Sequence, residues 1–290
     1  MCRIIIALLF VMFAAGAAND GKCFAIQPGY NAHKNLSYAD RKENGSEMMD
    51  LDIYAPEKKG NIPVIVYIHG GGWYEGDKGG QEHKAEAFIK HGFLFVSVNY
   101  RLSPGVSHPA HVQDVAKAIA WTYKNARKYG GNPEKIYLMG HSSGAHLAAL
   151  VAVDGMRLEA EGLKTSIIKG VILLDGAGYD IAKVKELRPK LFDQIYIQAF
   201  SRDPKGWKDA SPITYIVKGG LFPRFLILHI EREVSRIESE MFYNALKEAG
   251  VITEIFKALD RTHRSLESEL GKPGDAPTQR IFDFLSEGNQ

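Results

Sequence analysis

The sequence is poor in cysteine, with only Cys2 and Cys23 among its 290 residues. Cys2 belongs to an N-terminal segment that we expect to be removed, which leaves one thiol in the mature chain. A single cysteine can form neither a framework of internal disulfides nor a zinc site built from cysteines. We therefore expect a fold held together by its hydrophobic core, for which residues 19–290 suffice as one large domain.

Neither positive nor negative charge is present in large excess. The 36 lysines and arginines nearly balance the 34 aspartates and glutamates, so the net charge is +2. No basic stripe interleaved with aromatic residues is present, and the sequence predicts no binding of nucleic acid. Repeats, low-complexity tracts and proline-rich linkers are absent as well, which favours one domain over residues 19–290. No motif for a metal or a cofactor is apparent, and the sequence does not indicate an oligomeric state.

Long hydrophobic runs are missing except at the N-terminus. Arg3 precedes an apolar run over residues 4–13, which is followed by small residues up to Ala18. A membrane-spanning helix needs about 20 apolar residues, so this run is too short for a stable membrane anchor. A basic start, a short apolar run and an Ala-X-Ala-like end are typical of a secretory signal peptide. We expect a signal peptide over residues 1–18, cleavage near Ala17 or Ala18, and a secreted or periplasmic protein.

Continuous apolar segments predict strands that are buried on both faces of a sheet. The alternating residues 49–54 predict one strand. Further strands are predicted over residues 63–69, 93–98, 136–139, 168–174, 225–229 and 252–256. Helical spacing is found over residues 81–91, 109–129, 145–150, 238–249 and 277–285. Strands that alternate with helices predict the α/β class, with a mostly parallel central sheet flanked by helices on both faces. The one long interruption, residues 176–222, is predicted to be a short lid or binding excursion over the sheet.

A Gly-His-Ser-Ser-Gly sequence at residues 140–144 follows one of these apolar strands and leads into a helix. Strand, Gly-X-Ser-X-Gly and helix in this order are typical of the nucleophile elbow of α/β-hydrolases. Glycines flank the serine because the turn is strained and the neighbouring backbones leave no room for a Cβ atom. We therefore predict that Ser142 is a nucleophile.

A second glycine-rich sequence, His-Gly-Gly-Gly-Trp at residues 69–73, follows the strand predicted over residues 63–69. An oxyanion hole needs backbone N–H groups aimed at one point with no side chain in the way, and consecutive glycines meet this need. We expect donors from Gly71, Gly72 and Ser143, the residue after the nucleophile. A flexible turn is the alternative, whereas a phosphate-binding loop would need a following Gly-Lys-Ser/Thr.

A serine nucleophile needs a base and a carboxylate that orients it. His263 follows the last apolar strand, where the chain order Ser, Asp/Glu, His of this fold places the base. The acid is expected after the strand at residues 225–229, and Glu233 is the first choice there. Glu231 is the second choice and Asp175, which follows the preceding strand, is the third.

These motifs together resemble the bacterial carboxylesterases of the hormone-sensitive-lipase-like group, and most of all its compact, feruloyl-esterase-like members. The similarity extends over Asn-Tyr-Arg-Leu-Ser at residues 99–103, His-Pro-Ala at 108–110, Leu-Asp-Gly-Ala-Gly-Tyr-Asp at 174–180 and Thr-His-Arg-Ser-Leu at 262–266. The resemblance implies an α/β-hydrolase fold in which Ser142 and His263 are nucleophile and base. Such enzymes usually have aspartate where this chain has Glu233.

The function expected from these observations is a secreted serine esterase that cleaves small carboxylic esters through an acyl-enzyme. An arylformamidase-type amide hydrolase, and a non-catalytic binding protein on a hydrolase scaffold, are the alternatives. The partner expected is a small-molecule ester. Its pocket is predicted to be lined by Trp73, His141 and Tyr179, together with the excursion.

Overall fold

The computed structural model describes residues 29–39, 47–57 and 60–288. The predicted signal peptide, the domain boundary at residue 19 and Cys23 lie outside the described residues. The described strands form one eight-stranded sheet in the order β1-β2-β4-β3-β5-β6-β7-β8. They are β1 (Tyr30–Ser37), β2 (Asp50–Pro56), β3 (Ile62–Ile68), β4 (Leu94–Val98), β5 (Gly131–His141), β6 (Ile168–Leu174), β7 (Arg224–Ile230) and β8 (Thr253–Ala258). Pairing is antiparallel at β1–β2 and β2–β4 and parallel at every other junction of this sheet.

Helices lie on both faces of the sheet, as the alternating pattern predicts. The helices are α1 (Glu82–Lys90), α2 (Ala110–Asn125), α3 (Ser143–Val153), α4 (Gly155–Glu159), α5 (Ile181–Leu187), α6 (Pro204–Ala210), α7 (Glu233–Glu248), α8 (His263–Ser268) and α9 (Ala276–Glu287). Short 3-10 turns lie at Glu47–Met49, Ala126–Tyr129, Thr165–Ile167 and Pro212–Tyr215. One apolar cluster joins α2, α3 and α7 to the sheet, and a second joins α1, α8 and α9 to its other face. The α/β class and the mostly parallel sheet are confirmed.

Strand β1 was not predicted from the sequence. Most of its side chains are exposed, because it pairs only with β2 at the edge of the sheet. Its sequence, Tyr-Asn-Ala-His-Lys-Asn-Leu-Ser, therefore carries no apolar run or alternation that would mark a strand. Helix α7 begins at Glu233, five residues before the predicted start, and this difference affects the candidate acid discussed below.

The excursion over residues 176–222 is mostly helical. Besides α5 and α6 it contains consecutive turns at Pro189–Leu191, Phe192–Tyr196 and Ile197–Phe200, the middle one with π-helical hydrogen bonding. Phe192, Tyr196 and Phe200 are buried and pack on the core. In the part of the chain that the structure describes, no helix is both long and apolar enough to cross a membrane.

Candidate active site

The carboxyl ends of the parallel strands bring the predicted site residues to one edge of the sheet, where ligands of open α/β sheets bind. Ser142 lies between β5 and α3 in a left-handed conformation, with φ 53° and ψ −118°. A Cβ atom on Gly140 would lie 2.3 Å from the Gly144 carbonyl oxygen, and one on Gly144 would lie 2.2 Å from that of Ile68. Both glycines are therefore required by the close approach of backbone, and the turn presents the serine at the start of α3.

The histidine that follows the last parallel strand is paired with a carboxylate. His263 Nδ1 lies 2.5 Å from Asp175 Oδ2. Asp175 follows β6 with a positive φ of 45° and is completely buried, whereas the His263 side chain is about one-third exposed. A carboxylate beside Nδ1 accepts a hydrogen bond from Nδ1–H and leaves Nε2 free to act as a base.

Several groups hold the Asp175 carboxylate in its charged form. Oδ1 accepts hydrogen bonds from the Ser235 hydroxyl and from the Ile230 N–H, and Arg232 Nη2 lies 3.6 Å from Oδ2. Burial alone raises the pKa of Asp175, but the hydrogen bonds from His263 and Ser235 and the Arg232 charge outweigh it. The pKa is therefore below its usual range.

The structure does not place Glu233, the first-choice acid, beside His263. Glu233 is the exposed first residue of α7, and its side chain makes no hydrogen bond or ion pair with another described residue. Glu231 is exposed too and pairs with Lys257 at 2.6 Å, and this hydrogen bond lowers the pKa of Glu231. Only two residues separate β7 from α7, so the chain turns into the helix before either glutamate can reach the base. The carboxylate on His263 is Asp175, the third choice.

His263 was expected in a loop, but it is the first residue of the short helix α8. The N-cap residue Thr262 accepts a hydrogen bond from Ser265 N–H at 3.0 Å, and the Ser265 hydroxyl accepts one from Thr262 N–H at 2.8 Å. This reciprocal pair is a capping box, which fixes the direction in which the helix begins. It thereby holds the histidine backbone at the sheet edge.

A second histidine, His141, forms a hydrogen bond with the backbone of His263. His141 Nε2 lies 2.9 Å from the His263 carbonyl oxygen, and the two rings are 4.5 Å apart between centroids. A carbonyl only accepts, so His141 donates from Nε2. Burial and the neighbouring His263 lower the pKa of His141 to about 4. His141 therefore stays neutral next to the base and holds its backbone in place.

The glycine-rich loop after β3 lies on the other side of the elbow. Gly71 and Gly72 have positive φ angles of 115° and 60°, and a Cβ atom on Gly71 would lie 2.0 Å from the Glu75 carbonyl oxygen. Among the described residues, neither glycine N–H donates to a backbone carbonyl. Ser143 is the first residue of α3, where the backbone N–H has no partner within the helix. The three predicted oxyanion donors therefore all belong to the rim of one cavity or to the helix start beside it.

Trp73 is fixed by buried contacts at the end of this loop. Its Nε1 donates to His146 Nδ1 at 3.3 Å, and His146 Nε2 donates to the Ala210 carbonyl at 2.7 Å. Burial lowers the pKa of His146 to about 3, which keeps this bridging imidazole neutral. Tyr196 and Phe200 of the excursion meet the Trp73 ring edge-on. The glycine-rich loop, the elbow helix and the excursion are therefore joined through one buried ring.

These groups surround a cavity of about 370 Å³. Ser142, His263, Gly71, Gly72, Trp73 and His141 all line it, with Leu191, Ile195 and Tyr196 from the excursion. Tyr179, the third predicted pocket residue, does not line it. Its ring is buried and stacks on Phe242 of α7 with centroids 4.5 Å apart, so this side chain is part of the apolar core.

Two arginines and one glutamate at this site were not predicted from the sequence. Arg232 and Arg264 line the cavity, and the buried Glu238 on α7 accepts a hydrogen bond from Gly178 N–H at 2.5 Å. The signal for Arg232 and Arg264 was their position directly after β7 and beside His263. Glu238 carried no signal, because a glutamate within an amphipathic helix is ordinarily exposed.

Two curated proteins are similar to this chain in sequence. The chain is 30% identical over 251 residues to esterase LipQ of Mycobacterium tuberculosis, covering 81% of this chain and 58% of LipQ. It is 32% identical to the probable carboxylic ester hydrolase LipM of the same organism, covering 82% of this chain and 56% of LipM. The chain thus spans less than three fifths of the length of these curated relatives.

Solved structures show the same fold. A truncated carbohydrate esterase from gut microbiota matches with a TM-score of 0.74 at 24% identity, covering 90% of this chain and 98% of that one. Esterase B from Lactobacillus rhamnosis matches with a TM-score of 0.74 at 19% identity, covering 90% and 87%. Sheet, elbow and these matches together define an α/β-hydrolase. More narrowly, the chain belongs to the BD-FAE family, whose model matches residues 51–246. The resemblance to esterases of this fold is thereby confirmed.

Proposed function

We propose that this protein is a serine hydrolase that cleaves small carboxylic esters through an acyl-enzyme. Ser142 is the nucleophile, His263 the base and Asp175 the acid, with Gly71, Gly72 and Ser143 supplying the oxyanion hole. The observation that carries the proposal is the Asp175–His263 pair, 2.5 Å apart, with His263 and Ser142 in one cavity. The curated relatives LipQ and LipM, which are named as an esterase and a probable carboxylic ester hydrolase, support the same reaction class.

The first half-reaction forms the acyl-enzyme. His263 Nε2 takes the Ser142 hydroxyl proton as Oγ attacks the ester carbonyl carbon, and Asp175 stabilises the imidazolium that results. The carbonyl oxygen becomes an oxyanion that accepts hydrogen bonds from the backbone N–H groups of the oxyanion hole. The imidazolium then gives its proton to the departing alkoxide as the carbon–oxygen bond breaks.

Water completes the cycle. His263 takes a proton from a water molecule that attacks the acyl carbonyl, and returns it to Ser142 Oγ as the acid product leaves. His141 is already neutral with its Nε2–H on the His263 carbonyl, so it holds the base in place without competing for the proton.

The cavity favours small acyl groups. Its volume is about 370 Å³, near the lower end of ordinary small-molecule sites. Leu191, Ile195 and Tyr196 present an apolar wall. We infer that acetyl to butyryl esters are preferred over octanoyl and longer esters.

Ser142→Ala in the full chain tests the proposal. We expect loss of 4-nitrophenyl butyrate turnover and of covalent labelling by a fluorophosphonate probe, with a nearly unchanged thermal transition. Ser286→Ala is the matched control, since among the described residues that hydroxyl bonds only the Asp283 carbonyl on α9, outside the cavity. Turnover by Ser142→Ala within tenfold of wild type would reject the assignment. Hydrolysis of an N-formyl aromatic amide faster than any ester would favour the arylformamidase alternative.

Secretion is part of the same proposal and is supported by the sequence of residues 1–18. Expression of the full chain in a secreting host should yield a product whose N-terminus, determined by mass spectrometry, lies at residue 18 or 19. An N-terminus at Met1 in the product outside the cell would contradict cleavage.

A further inference from the structure

Two arginines line the catalytic cavity, and the N–H donors of both have too few acceptors among the described residues. Arg264 follows His263 in α8 and is exposed, and its guanidinium makes no hydrogen bond or ion pair with any described residue. Arg232 is about half-exposed, and its nearest carboxylate oxygen is Asp175 Oδ2 at 3.6 Å, beyond hydrogen-bonding distance. A guanidinium has five N–H donors in a fixed fork. Both side chains therefore have donors available to a ligand in the cavity.

The carboxylates of the same cavity do not cancel these charges. Glu267 is bound by the buried Lys84 ammonium and accepts a hydrogen bond from the Tyr67 hydroxyl at 2.9 Å. Glu75 is exposed and belongs to the loop after β3. The positive charge that remains is thus associated with the segments that follow β7 and β8.

Strand order separates the two arginines from the oxyanion loop. The sheet runs β3-β5-β6-β7-β8, so Arg232 and Arg264 lie on one side of Ser142 and the glycine-rich loop with Glu75 lies on the other. In the proposed reaction the departing alkoxide receives its proton from His263, which follows β8, so we expect the alcohol part of the ester on that side of the cavity. The arginines flank the path of the alcohol part of the ester, while Leu191, Ile195 and Tyr196 offer an apolar wall to the acyl part.

We propose that the site selects esters of alcohols that bear a carboxylate, such as hydroxy acids or acidic sugars, and binds that carboxylate through Arg264 and Arg232. This inference rests on the proposed esterase function and deepens it. The planar guanidinium fork matches a carboxylate in a bidentate manner, which a lysine could not do. A negative charge on the acyl part gains nothing, because Glu75 lines the β3 side of the cavity and both cavity arginines follow strands on the other side.

Two substrates that differ only in the charge of the alcohol part measure the effect of that charge. We would measure kcat/KM of the full chain for 4-acetoxybenzoate and for 4-acetoxybenzamide, which differ in charge at one position of the alcohol part. In Arg264→Gln the benzoate-to-benzamide ratio should fall about tenfold, the effect of one charge-assisted hydrogen bond. The loss should lie mainly in KM, because the carboxylate is bound equally in the ground and transition states. Added salt should lower the wild-type ratio as well.

Arg236→Gln is the control variant. It removes the same charge from α7, where Arg236 is exposed and pairs with Glu240 at 2.7 Å outside the cavity. The ratio should stay at the wild-type value. A second substrate pair, 4-nitrophenyl hemisuccinate and 4-nitrophenyl butyrate, places the charge on the acyl part, and its ratio should not respond to Arg264→Gln.

The outcomes separate this inference from the proposed function. If wild type and Arg264→Gln give equal benzoate-to-benzamide ratios while Ser142 is labelled and 4-nitrophenyl acetate is cleaved, the anion site is rejected and the esterase stands. If the hemisuccinate ratio falls as much as the benzoate ratio, the assignment to the alcohol side is rejected. Absence of labelling and of all ester turnover in the folded wild type would reject the proposed function itself.

Discussion

The two sides of the nucleophile elbow are built from different chemistry. On the β3 side, glycine backbone and the buried Trp73 are held by the neutral His146 and by aromatic rings of the excursion. On the side of β6, β7 and β8, charged groups dominate, with Asp175, His263, Arg232 and Arg264 at successive strand ends. Ser142 lies between them.

The difference fits what each side has to do in the proposed reaction. Backbone N–H donors must stay at fixed positions, and rings packed in an apolar core provide rigidity without adding a charge near the oxyanion. A base that gains and loses a proton needs a carboxylate to stabilise its positive form. A change on the charged side should therefore alter rate and pH dependence, whereas a change on the neutral side should alter geometry and stability.

The largest expected effect is on the charged side. Asp175→Asn should lower kcat by up to ~10⁴-fold, because the amide holds the wrong tautomer of His263 and cannot stabilise the imidazolium. KM should change little. Steady-state kinetics with 4-nitrophenyl butyrate measures this effect.

Glu233→Gln and Glu231→Gln are the matched controls, as both carboxylates are exposed and neither contacts His263. Both variants should retain kcat within about twofold, as surface substitutions usually do. A loss in Glu233→Gln comparable to that in Asp175→Asn would move the acid back to the segment after β7.

The next effect lies on the neutral side. His146→Phe leaves Trp73 Nε1 and the Ala210 carbonyl without their buried partner. Each unsatisfied group costs about 2 kcal/mol, so the free energy of unfolding should fall by about 4 kcal/mol. Denaturant unfolding gives this value.

The same variant should lower kcat without moving the midpoint of the pH profile of kcat/KM, because the base and its acid are untouched. His91→Phe is the control, since His91 is exposed and stacks on Phe282 away from the cavity. A shifted midpoint in His146→Phe would contradict the separation of the two sides.

Glu238 should make the free energy of unfolding depend on pH. Burial raises the pKa of Glu238 to about 7, despite hydrogen bonds from Gly178 and Tyr179 N–H. Because the folded pKa lies above the unfolded one, the favourable contribution is complete below pH ~4.5 and is lost as pH rises through about 7. Relative to Glu238→Gln, wild type should lose about 3 kcal/mol of unfolding free energy over this window. Equal pH dependence in both proteins would show that Glu238 ionises freely.

The smallest effect concerns the apolar wall. Ile195→Ala should enlarge the acyl side of the cavity and raise kcat/KM for hexanoyl relative to butyryl 4-nitrophenyl esters by about tenfold, the value of one or two methylenes in an apolar pocket. Leu221→Ala is the control, because Leu221 belongs to the excursion but is 94% exposed and does not line the cavity. An unchanged preference would mean that the acyl group lies elsewhere.

Much of the fold could be predicted because it depends on local pattern. Mostly apolar segments such as Ile168–Leu174, in which Lys169 is the one exposed residue, were found with their bounds. Strand β1 could not be predicted, because an exposed edge strand needs no apolar side chains.

The identity of the acid was predicted wrongly for another reason. Position after a strand is visible in sequence, but both Asp175 and Glu233 have it, and only the turn that follows decides which carboxylate meets His263.

Residue types at short spacing were enough to predict the α/β class, the elbow around Ser142, the glycine-rich loop and His263. The folded structure was needed to show that Asp175 pairs with His263, that Tyr179 is buried against Phe242, and that Arg232 and Arg264 share the cavity with Ser142. The physical reason is that these relations join strand ends far apart in the chain. Their distances depend on sheet order and on where each helix begins, and no local pattern encodes either.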